Sequence, residues 1–156
     1  MKYIKNGKII LPDSEVSGKV LVFSSEVIDI IDESEIGAYG FGDVVDANNG
    51  IVSPGLIDLH IHGYKGNDAS DGDEKGLAEM AKDLVANGVT AFLPTTMTVE
   101  EKQLDKAFDV IRKLSKQSRG GAEILGVNAE GPFINPSKKG AQKAENIKTP
   151  DADQGV

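Results

Sequence analysis

From Gly50 onward, apolar runs with strand character alternate with stretches whose apolar residues recur at helical spacing, which restricts the chain to few architectures. Gly50 to His62 reads as the first strand. Across Glu74 to Asn87, Leu77, Met80, Ala81, Leu84 and Val85 share one helical face, and Gly88 is a natural C-terminal stop. Val89-Thr90-Ala91-Phe92-Leu93 is a second strand, closed by Pro94-Thr95-Thr96. Thr98 followed by Glu101 has the pattern of a capping box. The helix it opens carries Leu104, Ala107, Phe108, Ile111 and Leu114 on one stripe, and Gly120-Gly121 breaks it before a third strand, Ile124 to Glu130. Strands alternating with helices over units of ~30 residues imply an α/β fold, a parallel sheet with helices packed outside it. Right-handed crossovers then bring all three strand C-termini to one rim.

The residues up to about Asn49 have a different character, with short strands joined by turns. Tyr3-Ile4-Lys5 and Ile9-Ile10-Leu11 flank Asn6-Gly7, a dipeptide suited to the positive φ angles of a tight hairpin. Val20-Leu21-Val22-Phe23 and Val27 to Ile31 form a second pair across Ser24-Ser25-Glu26, and Val44-Val45-Asp46-Ala47 is a further strand. Ser34 to Gly42 is rich in glycine and reads as loop. A small sheet of this kind leaves an edge that needs a covering partner. The chain therefore divides into residues 1–50, a small β unit, and residues 51–156, the alternating unit.

Both histidines of the chain lie in Asp58-Leu59-His60-Ile61-His62-Gly63, at the end of the first alternating strand. Side chains alternate faces along a strand, so His60 and His62 project together, opposite Ile57, Leu59 and Ile61. On the third strand Asn128 and Glu130 share a face, opposite Leu125, Val127 and Ala129. If the apolar faces meet the helices, His60, His62, Asn128 and Glu130 all point inward at one end, where β/α barrels place their chemistry. Two imidazoles and a carboxylate make a site for a divalent metal, zinc or iron, with positions left open for water. Read singly, each has a plainer explanation: a packed or surface histidine, and a capping or ion-paired carboxylate. Thr95 and Thr96 end the second strand on the same rim, where threonines are commonly turn residues.

Composition excludes several other roles. Lys and Arg number 17 against 25 Asp and Glu, a net charge of -8, which argues against nucleic acid and anionic membrane as partners. The chain has no cysteine, so neither disulfides nor thiolate metal sites arise. No segment approaches the roughly 20 apolar residues that cross a bilayer, and the start lacks the apolar stretch of a signal peptide, so the expected location is the cytoplasm. Near the end, Thr149-Pro150 followed by Asp151 and Asp153 has the signature of a helix start. About three of the eight units of a (β/α)8 barrel are represented, where a full barrel takes ~250 residues, so the expectation is a piece of a longer protein. The open sheet edges of such a piece lead to the expectation of a homodimer.

Ile51 to Gly63, with its Pro54-Gly55, Ile57-Asp58 and His60-x-His62 elements, resembles the first barrel strand of the amidohydrolase superfamily. Within it, Gly88 to Thr95, Gly126 to Phe133 and Asn135 to Gln142 resemble the N-acetylglucosamine-6-phosphate deacetylase family. The resemblance implies a partial TIM-like (β/α)8 barrel preceded by part of a small β-sandwich. It implies that Glu130 binds the metal and that His60 and His62 hold a second one, so that one or two ions are expected. It implies that Ala141 and Gln142 contact a phosphorylated amino sugar. Its catalytic aspartate and remaining metal histidines would come from later strands, leaving no catalytic acid–base residue within these residues. The activity implied is hydrolytic removal of an N-acetyl group. The readings that stand beside it are another amidohydrolase, such as a cyclic amidase or a deaminase, and a non-catalytic fragment.

Overall fold

A computed structural model describes residues 1–117 and 120–150. It divides into two compact units, residues 1–54 and 55–156. The helix expected after Pro150, with Asp151 and Asp153, lies outside the described residues.

The first unit contains β1 (Lys2–Lys5), β2 (Lys8–Ile10), β3 (Glu15–Val16), β4 (Val20–Phe23), β5 (Val27–Ile31), β6 (Asp43–Asp46) and β7 (Ile51–Val52). They form two sheets, ordered β5-β4-β1-β6 and β3-β2-β7. The β4–β5 hairpin forms as the sequence suggests. The hairpin expected at Asn6-Gly7 does not. Asn6 does take a left-handed φ of 55°, yet β1 pairs with β4 and β6 while β2 pairs with β3 and β7. The turn is held by a second corner running alongside it: Ala47 N–H donates to Lys5 O, Asn49 N–H to Asn6 O and Lys8 N–H to Gly50 O, all at 2.7–2.9 Å. Two parallel strand pairs, β1–β6 and β2–β7, thus pass around the corner together. The local turn preference was met by a non-local partner. Tyr3, Val20, Val22 and Ile31 form this unit's core, and the Tyr3 hydroxyl donates to Gly40 O at 2.7 Å.

The second unit opens at β8 (Leu56–Ile61). The single strand expected from Gly50 to His62 is therefore two, because Pro54 interrupts the run and Ile51–Val52 pairs within the first unit. Then follow β9 (Gly63–Tyr64), β10 (Asn67–Asp68), α1 (Glu74–Leu84), β11 (Val89–Thr96), α2 (Glu101–Leu114), β12 (Glu123–Ile124) and β13 (Asn128–Ala129). β11 is central: it pairs in parallel with β8 on one side and with β12 and β13 on the other. Its passage through Pro94 is accommodated by a register shift between Phe92 and Pro94, where the missing N–H leaves no ladder bond to lose. The third strand is interrupted as well, with Leu125 N–H reaching Phe92 O at 3.1 Å between β12 and β13.

α1 starts at Asp73, whose carboxylate accepts from Lys75 N–H, and the chain leaves the helical region at Gly88, φ 78°. Leu77, Met80, Ala81 and Leu84 of α1 pack with Ile111 and Leu114 of α2 against Val89, Phe92 and Ile124, which is one buried helix–sheet layer. Each buried Leu or Met of this layer contributes about 1.5–3 kcal/mol by area removed from water. The other apolar strand residues do not follow the expected pattern. Ile57, Leu59, Leu125 and Val127 stay exposed. No helix among the described residues is long and apolar enough to cross a membrane.

Candidate metal centre

β8 delivers His60, and His62 follows one residue after the strand ends, with their side chains on one face as the period of two requires. Glu130 follows β13 directly. Since β8 and β13 both run parallel to β11, these positions meet at the same strand-end rim.

His60 Nε2 and His62 Nε2 lie 3.1 and 3.3 Å from Glu130 Oε2 and 3.4 Å from each other. The two rings are perpendicular, 89° between planes, so their nitrogens converge without the rings stacking. His62 Nδ1 is 2.9 Å from the carbonyl oxygen of Thr95. A carbonyl only accepts, so in the neutral His62 ring the proton sits on Nδ1 and the Nε2 lone pair faces the cluster. An electron pair thus stands against a carboxylate oxygen. A cation between them resolves that contact. Three donors bound to one ion at about 2.0–2.1 Å in tetrahedral directions stand about 3.3 Å apart. The observed separations of 3.1, 3.3 and 3.4 Å match that spacing. His60, His62 and Glu130 therefore fit a divalent ion as a group.

Neighbouring groups hold the three side chains. The Asp58 carboxylate accepts from His60 N–H at 3.0 Å. Asn128 Nδ2 donates to Leu59 O at 3.0 Å and lies 3.4 Å from His60 Nδ1. Thr95 is fully buried, and its hydroxyl accepts from Ile61 N–H at 3.0 Å while donating to Leu93 O at 3.2 Å. Thr95 therefore orients both the strand carrying the histidines and, through its carbonyl, one imidazole. The sequence pattern alone marks Thr95 as a turn residue, and its place at the end of the neighbouring strand is the signal for this role.

Thr98 also departs from expectation. The N-cap of α2 is Glu100, with no side-chain cap bond. The Thr98 hydroxyl instead donates to Glu130 O at 3.2 Å. Burial of Thr98 against the rim outweighs a capping role at the surface. In the segment beyond β13, Ala141 is exposed and Gln142 is buried. The Gln142 amide donates to Glu130 Oε1 and accepts from Thr98 N–H at 2.8 Å. Its neighbour in space is thus the carboxylate of the cluster.

A parallel sheet with a His-x-His strand end and a carboxylate facing it is an arrangement with known relatives. Residues 51–154 match the amidohydrolase family, and the chain belongs to that family. Over 106 residues it is 39% identical to the N-acetylglucosamine-6-phosphate deacetylase of Bacillus subtilis, a match covering 66% of this chain and 27% of that protein. Over 116 residues it is 40% identical to the Danio rerio enzyme of the same name, covering 70% of this chain and 28% of that one. The crystal structure of the Pasteurella multocida N-acetylglucosamine-6-phosphate deacetylase superposes with a TM-score of 0.86 at 25% identity, over 97% of this chain and 40% of that one. The chain spans little more than a quarter of the length of the curated relatives it matches.

Proposed function

We propose that the chain supplies the metal-anchoring strands of a hydrolase that converts N-acetylglucosamine 6-phosphate to glucosamine 6-phosphate and acetate. The observation that carries this reading is the convergence of His60, His62 and Glu130 within 4.8 Å at one strand-end rim. Identity of 39–40% to proteins named for that reaction supports the choice of substrate. In this reading residues 51–156 form the opening strands and helices of a TIM-like (β/α)8 barrel, and residues 1–50 form part of a small β-sandwich. The working protein is cytoplasmic and a homodimer, and its partner is the phosphorylated amino sugar.

His60 and His62 would hold the ion through Nε2 and Glu130 through Oε2, the atoms already turned toward one another. Zinc and iron suit an imidazole and carboxylate set, and one or two ions can be served by it. Once bound, the ion supplies Lewis acidity toward an amide carbonyl and toward water. Thr95 O accepts from Nδ1 of the neutral His62 ring, which leaves Nε2 as the ligating nitrogen. Ala141 and Gln142 border the sugar in this reading, and Ala141 is exposed. The acyl C–N bond breaks, water supplies the new acyl oxygen, and a proton passes to the departing amine. The aspartate that shuttles this proton belongs outside these residues, so the isolated chain is expected to be catalytically silent.

The test joins residues 1–150 of this chain to the remaining strands of the Bacillus subtilis deacetylase and measures acetate release from N-acetylglucosamine 6-phosphate. The expected result is turnover that disappears with Glu130→Gln and is absent with a cyclic-amide substrate. A folded, metal-loaded chimera with no acetate release, or with unchanged release after Glu130→Gln, would overturn the reading.

A further inference from the structure

Among the described residues that follow β13, Gln142 is the one buried polar side chain, with 5% of its surface exposed. Its amide orientation is fixed from one side. Thr98 N–H can only donate, so the group 2.8 Å from it must be Gln142 Oε1. Nε2 is then obliged to face Glu130 Oε1, to which it donates. The remaining contact of Nε2 is Met97 Sδ at 3.7 Å. The backbone is committed as well: Gln142 N–H donates to Lys139 O at 3.1 Å, and Gln142 O accepts from Lys139 Nζ at 2.9 Å. The protein itself thus engages this residue's principal polar atoms.

The consequence falls on Glu130. One carboxylate oxygen is occupied by Gln142, while the other stands 3.1 and 3.3 Å from the two imidazole nitrogens. Glu130 lies beyond the end of β13, where the ladder no longer fixes it, and its backbone holds on by a 3.3 Å bond to Thr96 O and the Thr98 hydroxyl at 3.2 Å. A carboxylate so placed is free to turn about its χ angles unless its second oxygen is held. We propose that Gln142 is a positioning residue: its amide, aimed by Thr98 N–H, holds Glu130 so that a single oxygen faces His60 and His62. The assignment rests on the reading of those three residues as a metal site. It gives the Gln142 side chain a role distinct from contact with sugar, because its donor already serves the carboxylate.

The experiment is zinc titration of the 156-residue chain by competition with a chromophoric chelator, below the melting temperature of the metal-free protein. Wild type is compared with Gln142→Met, which keeps length and loses the donor, and Gln142→Asn, which keeps the donor and loses reach. Asn135→Ala is the control: it removes the cap of the turn at Pro136–Lys138 in the same segment without touching Glu130. Outer-sphere partners of this kind typically set about 10–100-fold in affinity. The expected result is a loss of that size in Met and Asn variants with unchanged stoichiometry, while Asn135→Ala binds like wild type. Wild-type affinity in either folded Gln142 variant, while Glu130→Gln loses zinc, would overturn the positioning role and leave the metal site intact. Equal losses in the Gln142 variants and Asn135→Ala would overturn it too, pointing to general loosening of the segment. Zinc binding indifferent to Glu130→Gln and His60→Ala would instead remove the metal reading on which it stands.

Discussion

The two histidines are unequally held, and their unequal settings give a prediction. His62 is fixed by a 2.9 Å bond to Thr95 O, whereas His60 meets Asn128 only at 3.4 Å and has the more exposed ring. A ligand held in its binding tautomer loses less freedom on taking up an ion. His62→Ala should therefore weaken zinc binding more than His60→Ala, with each costing at least about 10-fold, as measured by chelator competition. Equal losses would show that the Thr95 contact does not set the balance. A second residue-level effect lies in the first unit. The Tyr39 hydroxyl donates to the Asp29 carboxylate and, with Ile30 N–H, holds the Asp29 pKa below its ordinary 3.8. A depressed carboxyl stabilises the fold fully above pH 3.8 and loses that contribution as pH falls through the lower folded value. The Tyr39 pKa is raised above its ordinary 10.0 by the same bond, so its contribution is present below pH 10 and lost above it. Tyr39→Phe should lower the urea midpoint at neutral pH, and the difference from wild type should close in strong acid. His60 and His62 were legible in sequence because a strand's period of two sends them to one side, and Glu130 because it closes a parallel strand at the same rim. The link from Gln142 to Glu130 was not, because it runs through a segment with no periodicity and depends on where Thr98 comes to lie.

At the scale of elements, the alternating half of the chain was readable and the β half was readable only in part. The helical stretch stopped at Gly88 as its pattern implied, with a 3-10 turn over Val85–Asn87 following the end of α1 at Leu84, because the left-handed φ of 78° at Gly88 suits glycine best. No atom lies within 4 Å of a Cβ built at Gly88, so Gly88→Ala tests backbone strain alone. It should lower stability by about 1–2 kcal/mol in urea denaturation, with zinc affinity unchanged. Gly131 is a contrasting case. It has φ 90°, and a Cβ there would come within 2.0 Å of the Thr98 hydroxyl oxygen that holds Glu130 O. Gly131→Ala should therefore lower stability and zinc affinity together, and a loss of stability with full affinity would show that the Thr98 bond does not govern the cluster. The missed hairpin at Asn6-Gly7 has a related physical origin. Asn-Gly specifies a turn, but the strands leaving a turn pair with whatever edges the rest of the unit presents, here β4 and β6 for one and β3 and β7 for the other. Nothing local distinguishes these outcomes. Thr98 misled for the converse reason: a surface pattern for a cap fell on a residue whose burial decided its bond.

At the scale of the molecule, the apolar residues expected beneath helices become a statement about association. Ile57 and Leu59 of β8 are exposed, and β8 pairs among the described residues only with β11, leaving its other edge open. Across the sheet Leu125 and Val127 are exposed too. An open strand edge with apolar side chains is a template for pairing with another chain, and a charged residue placed on it is the usual deterrent. The net charge of -8 opposes close approach only weakly at ordinary salt, where exposed charges more than about 10 Å apart are screened. A second copy of this chain is therefore expected to pair along β8. Sedimentation at rising concentration should show the 156-residue chain passing from monomer to a larger species, with the transition displaced to higher concentration by Leu59→Lys. The same displacement by Val127→Lys but not by Leu59→Lys would place the contact on the opposite edge. A chain that stays monomeric throughout would show that these exposed side chains do not drive self-association.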